Sequence, residues 1–144
     1  ANKTRTIATD FNWLHTLDRI KIAQRLNDQR PVHSPPLNVF IQVNISQEAN
    51  KAGVDLAQLP SLVAEVQQLP SLQLRGLMCI PQATQDFEAQ LVPFQKLQQV
   101  LVELQADYPC LQQLSMGMSA DLEAAIITGA THIRIGTDLF GKRN

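Results

Sequence analysis

Two segments near the C-terminus join glycines and hydroxyls to the ends of apolar runs. Leu114-Ser115-Met116-Gly117-Met118-Ser119 runs into Ala120-Asp121-Leu122-Glu123, and His132-Ile133-Arg134-Ile135-Gly136-Thr137 runs into Asp138-Leu139-Phe140-Gly141. Each reads as a strand that stops at glycine plus a hydroxyl and opens a helical turn. Free N–H groups at two such turns make a seat for a phosphate. The chemistry expected is therefore recognition of a phosphorylated ligand. Phosphate sites recur in the loops after the last two strands of (β/α)8 barrels.

Other residues of chemical interest carry less. Arg134 shares a strand face with Gly136, which points it at the same site, where a cation is expensive unless paired. Lys51 lies in a polar loop between Asn50 and Ala52. Nothing there supplies the buried pocket and lowered pKa that a Schiff-base lysine needs. Asn44 and Glu48 read as groups that order this loop. His15 and His132 read as satisfied strand histidines, with no carboxylate or cysteine placed to make a triad. The three histidines and two cysteines show no metal-ligand spacing.

The elements that must hold these residues alternate. Residues 1–10 read as the tail of a helix feeding a strand. A β-like run at 11–17 ends at Asp18, a candidate N-cap for a helix to about Asn27. Residues 37–45, rich in β-branched side chains, read as a buried strand. A helix follows over 59–69, with Pro60 in its first turn and Pro70 beyond its end. Residues 72–80 form the next strand, stopped by Pro81. Leu91, Phe94, Leu97, Leu101 and Leu104 recur at helical spacing within 86–106, and Pro93 predicts a kink or a late start. Residues 111–116, 121–128 and 132–135 read as strand, helix and strand. Such alternation means parallel strands with helices packed outside. An open doubly wound sheet and part of a barrel both satisfy it. The dinucleotide-binding version is weakened because no G-x-G-x-x-G follows the first strand.

Bulk properties set the class. A chain of 144 residues with a net charge of −1 is normally one domain and offers no basic surface for nucleic acid or anionic membrane. No apolar run reaches the length of about 18 residues that a membrane span needs. The first ten residues do not read as a signal peptide. Cys79 and Cys110, lone thiols in apolar surroundings, fit a reducing compartment, so a cytoplasmic protein without structural zinc is expected.

Several stretches together resemble a known family. They are Asp18-Arg19 through Arg25-Leu26-Asn27, and Gln42-Val43-Asn44-Ile45-Ser46 with Glu48, Lys51 and Gly53. They continue with Arg75-Gly76-Leu77-Met78 followed by Ile80-Pro81, the run from Ser115 to Asp121, and Ile133-Arg134-Ile135-Gly136-Thr137 with Phe140-Gly141. In this register the chain is similar to the YggS/PROSC family of pyridoxal 5'-phosphate homeostasis proteins. The resemblance implies a single-domain α/β fold, a (β/α)8 TIM barrel of the alanine racemase N-terminal type. It implies a cofactor, pyridoxal 5'-phosphate, held covalently by a lysine on the first strand, and a non-catalytic role in balancing free cofactor. It matches Ser119 to a serine on the cofactor phosphate, Gly136 and Thr137 to the backbone pair closing over that phosphate, and Met78 to an apolar residue lining the pocket. Ser115, Gly117 and Met118 belong to the same phosphate segment, and Arg134 faces phosphate or ring. An ordinary N-cap is the structural alternative for Ser119, and plain core packing that for Met78.

The family's lysine-bearing first strand and the two strand motifs that follow it do not occur here. The chain is thus expected to be the C-terminal part of one cofactor-binding barrel domain, carrying strands four to eight of an incomplete barrel without strands one to three. Open strand edges predict that such a fragment self-associates, whereas the parent is expected to be a monomer. Pyridoxal-phosphate-dependent enzymes are the expected recipients of the cofactor. Two enzymatic functions compete. A racemase-like enzyme needs a second acid/base group, and the sole tyrosine, Tyr108, sits before Pro109 at a helix end, on the wrong side of a barrel. A phosphate-binding barrel enzyme of another kind requires the resemblance to mislead.

Overall fold

The computed structural model describes residues 2–49 and 51–134. Their order is α1 (Asn2–Asp10), β1 (Trp13–Leu17), α2 (Ile20–Gln29), β2 (Leu37–Gln42), α3 (Leu59–Gln67), β3 (Leu72–Met78), α4 (Phe87–Gln105), β4 (Gln113–Ser115), a 3-10 turn (Ser119–Asp121) and α5 (Leu122–Ile127).

The four strands are all parallel, in the spatial order β1-β2-β3-β4. A doubly wound sheet must reverse its strand order at a switch point, and these strands do not. Right-handed crossovers that always step in one direction put every connecting helix on the same face. The core follows from that winding. Leu17, Val39, Ile41, Leu74, Leu77 and Leu114 from the strands join Ala23, Leu26, Leu62, Val63, Phe94, Leu97 and Leu101 from the helices in one buried cluster. Phe40 and Met78 are equally buried but stand outside it.

Two details set the strand geometry. The β2–β3 register slips between Val39↔Leu74 and Phe40↔Gly76, leaving Arg75 as the extra residue of a bulge. Its Nε donates to Asn38 Oδ1 at 2.7 Å, and its guanidinium lies 5.9 Å from the Trp13 ring. Opposite Gln113, Gly76 lets β3 and β4 approach, since a Cβ there would stand 1.8 Å from the Gln113 carbonyl oxygen.

Helix α1 is anchored by a buried cation. Arg30 donates to the carbonyls of Ala8 and Phe11, at 2.9 and 2.6 Å, and to Pro35 at 2.9 Å, so its charge meets the negative end of α1.

Several boundaries differ from expectation. Asp18 does not cap α2, whose N-cap is Arg19 without a side-chain bond. The Asp18 carboxylate instead accepts the Gly53 N–H at 2.9 Å, tying β1 to the loop after β2. Asp86 does cap α4, accepting from Ala89 N, and the helix runs through Pro93 without a late start. The strand expected at 132–135 is a single parallel bridge, Ser115↔His132, among the described residues, with position 135 outside them. Asn44 orders its loop as expected, bonding Glu48 through both the carbonyl oxygen and the N–H.

Candidate functional site

The C-terminal ends of β3 and β4 open onto a cavity of about 340 Å³ lined by Cys79, Ile80, Pro81, Ala83, Thr84 and the segment Gly117 to Asp121. The segment is shaped by its sequence. Gly117 has φ +104°, and a Cβ on it would meet the Ala125 Cβ at 2.5 Å, so only glycine allows this turn against α5. Three strand-like bonds then bind the segment to the chain returning after α5: Met116 N–H to His132 O at 3.0 Å, Arg134 N–H to Gly117 O at 2.9 Å and His132 N–H to Leu114 O at 3.1 Å. The Asp121 carboxylate accepts the Met118 N–H at 2.7 Å and closes the 3-10 turn.

Among the described residues two buried polar atoms here lack a partner: Ser119 Oγ, of the cavity lining, and Nε of Arg134, whose guanidinium reaches the lining residue Cys79. A serine serving as an ordinary N-cap would spend its oxygen on a nearby N–H, and Ser119 makes no such bond. Arg134 spends one nitrogen, Nη2, on the Cys79 carbonyl at 3.3 Å. Burial lowers its pKa, with the Cys79 and Asp121 charges acting in the opposite direction. The Cys79 thiol is pushed up to about 12, by burial first and against the pull of Arg134. It is therefore protonated at neutral pH and unsuited to nucleophilic work.

The structure gathers Gly117, Met118, Ser119 and, through Cys79, Arg134 around one cavity. It gives some of the segment's N–H donors other partners. The Met116 and Met118 N–H groups are taken by His132 O and the Asp121 carboxylate, so neither is free for a phosphate. The Met118 side chain is 43% exposed, whereas Met116 is fully buried. Ser115 is wholly buried, and its hydroxyl shares a 2.6 Å hydrogen bond with His15 Nδ1. Met78 is fully buried and lies outside the helix-covered cluster. Gly136 and Thr137 lie outside the described residues.

One cluster escaped the sequence reading. Trp13, His15, Phe40 and His132 form a group of rings with centroids 4.4–6.4 Å apart. Burial, then the charges of His132 and Arg134, lower the His15 pKa. The signal was present in the alternation of Trp13 and His15 about Leu14, which puts two rings on one strand face. Among the described residues no group of three or more His, Cys, Asp or Glu could hold a metal ion, and no helix is long and apolar enough to cross a membrane. Tyr108 precedes β4, so it stands at the opposite end of the sheet from Ser119.

Comparison with known proteins gives the chain its relatives. The family model of the alanine racemase N-terminal domain matches residues 2–144. Curated proteins from Vibrio cholerae and Pseudomonas aeruginosa, each named pyridoxal phosphate homeostasis protein, are 51% and 55% identical over all of this chain. The chain spans 61% of the length of each. PipY of Synechococcus elongatus, solved without pyridoxal phosphate, superposes with a TM-score of 0.88 at 35% identity, over 98% of this chain and 66% of that one. Its form with the cofactor bound superposes at 0.86 and 34% identity, over 97% and 66%.

Proposed function

Because this chain belongs to the family of alanine racemase N-terminal domains, we propose that it carries the phosphate-binding portion of a protein that binds pyridoxal 5'-phosphate and regulates its free level without turning over a substrate. The single observation that carries this reading is Ser119 Oγ, buried in the cavity lining without a partner among the described residues, with Arg134 Nε likewise unpartnered on the guanidinium that bonds the lining residue Cys79. Buried polar atoms are ordinarily satisfied, and two potential donors left open at one place call for an anion with several acceptor oxygens. A phosphate monoester fits that donor set.

In this reading Ser119, with Gly136 and Thr137, holds the phosphate. The amides of Ser119 and Ala120 open the 3-10 turn and have no acceptor within it. Gly117 brings the backbone close, the Met118 side chain flanks the cavity, and Ser115 acts from behind through its bond to His15. Arg134 sets the charge, and Met78 lines the apolar part of the pocket. When bound, the cofactor supplies an electrophilic aldehyde. The lysine that meets it belongs to a part of the barrel this chain does not carry. The chain would then furnish the fourth to eighth strands of a (β/α)8 barrel, and its one-way winding and ring-lined open face support that. A carrier role is supported by the placement of Tyr108 at the opposite end of the sheet from Ser119 and by the protonated Cys79 thiol. Recipients would be pyridoxal-phosphate-dependent enzymes, and two free thiols suit the cytoplasm.

The test is the double variant Ser119→Ala, Thr137→Ala in the full-length protein. Pyridoxal phosphate affinity is expected to fall by about tenfold or more as hydrogen bonds to a charged group are lost, with the fold retained. Unchanged affinity in a folded variant overturns the phosphate assignment.

A further inference from the structure

Gln90 occupies a position in α4 that the helical pattern reserves for an apolar residue. It stands four residues before Phe94 and seven before Leu97, both fully buried. Gln90 itself is 9% exposed. A primary amide there costs stability unless its hydrogen bonds are met. Its Nε2 donates to two carbonyl oxygens, Thr84 at 2.9 Å and Ala120 at 3.3 Å. Because both partners are acceptors, the NH2 end must face them.

Both carbonyls belong to residues lining the cavity, Thr84 in the loop after β3 and Ala120 in the turn after β4. The Ala120–Asp121 peptide is consequently held at both ends. Gln90 holds its carbonyl, and Met118 O accepts its N–H at 3.2 Å. Those two bonds restrain the turn whose first amides are those of Ser119 and Ala120. No other side chain among the described residues hydrogen-bonds both segments.

We infer that Gln90 is a positioning residue for phosphate recognition, holding the Ser119–Asp121 turn in its binding geometry against the loop that ends at Thr84. The inference rests on the phosphate reading of this cavity. Ordering both loops before the ligand arrives removes that cost from binding, and the gain should be felt by the phosphate and not by the ring.

The experiment compares pyridoxal phosphate with pyridoxal, which lacks the phosphate, by equilibrium titration of the full-length protein. Variants are Gln90→Leu, which suits the apolar stripe, and Gln90→Glu, which keeps the shape and loses the donor. Both are expected to weaken pyridoxal phosphate by about tenfold, the scale of one to two lost hydrogen bonds, and to leave pyridoxal within twofold. For Gln90→Glu the deficit relative to wild type at the same pH should shrink between pH 8 and pH 5. A protonated carboxyl, whose ordinary pKa is about 4.3, can donate again. Equal weakening of both ligands, or wild-type affinity for pyridoxal phosphate, overturns the role of Gln90 while the phosphate site stands. A wild-type protein that does not prefer pyridoxal phosphate over pyridoxal overturns the phosphate reading and the role of Gln90 with it.

Discussion

On the helix-covered face of the sheet, Val39, Ile41, Leu74 and Leu77 share one cluster with Leu26, Val63, Phe94 and Leu97. Across the strands from them lie the rings of Trp13, His15, Phe40 and His132, the buried hydroxyl of Ser115 and the guanidinium of Arg134. The first set is interchangeable in kind: aliphatic and aromatic groups whose worth is the water they exclude. The second is specific in kind. Ser115 and His15 share a hydrogen bond, the four rings pack on one another, and Arg134 Nε has no partner among the described residues. A region that stabilises satisfies its groups, whereas a region that binds leaves some open for what will arrive.

The sharpest way to break this contrast is to truncate the covered face. Phe94→Ala, at a residue with no exposed surface, is expected to lose roughly 3–5 kcal/mol in urea unfolding. A loss below about 1 kcal/mol would mean that the helix layer does not carry the fold.

On the open face, Arg134→Met removes a cation that burial already disfavours together with one 3.3 Å bond to Cys79 O. Unfolding stability should stay within about 1 kcal/mol of wild type, in either direction, while pyridoxal phosphate binding weakens. A loss comparable to that of Phe94→Ala would make Arg134 a structural residue and erase the distinction.

The smallest effect expected is on pH dependence. The folded His15 pKa is lowered, so the folded state resists a proton that the unfolded state accepts. The stability linked to His15 is fully present above the unfolded value, about 6.5, and is lost as pH falls through the lower folded value. His15→Gln should therefore show a smaller drop in Tm between pH 7.5 and pH 5.5 than wild type. An identical drop would mean that His15 titrates no differently in the two states.

Much of this architecture is legible in the chain itself. The strand–helix alternation and the apolar stripe of α4 follow from local periodicity, because burying one helix face or one strand face demands that spacing. The glycine and hydroxyl pattern of the 115–121 segment marked the neighbourhood of the candidate site for a similar reason: only glycine fits the turn at 117, packed against Ala125. Even Gln90 left a trace, as a lone amide inside an apolar stripe.

Which groups stay available was decided elsewhere. No local pattern states that the Met118 N–H is consumed by Asp121, that Ser115 is claimed by His15 a hundred residues earlier in the chain, or that Asp18 holds Gly53 rather than its own helix. The sequence by itself determined the elements and the residue types at the rim. Only the tertiary structure decided which of those donors are already paired, because a hydrogen bond depends on distance and angle between atoms that the fold, not the order of residues, brings together.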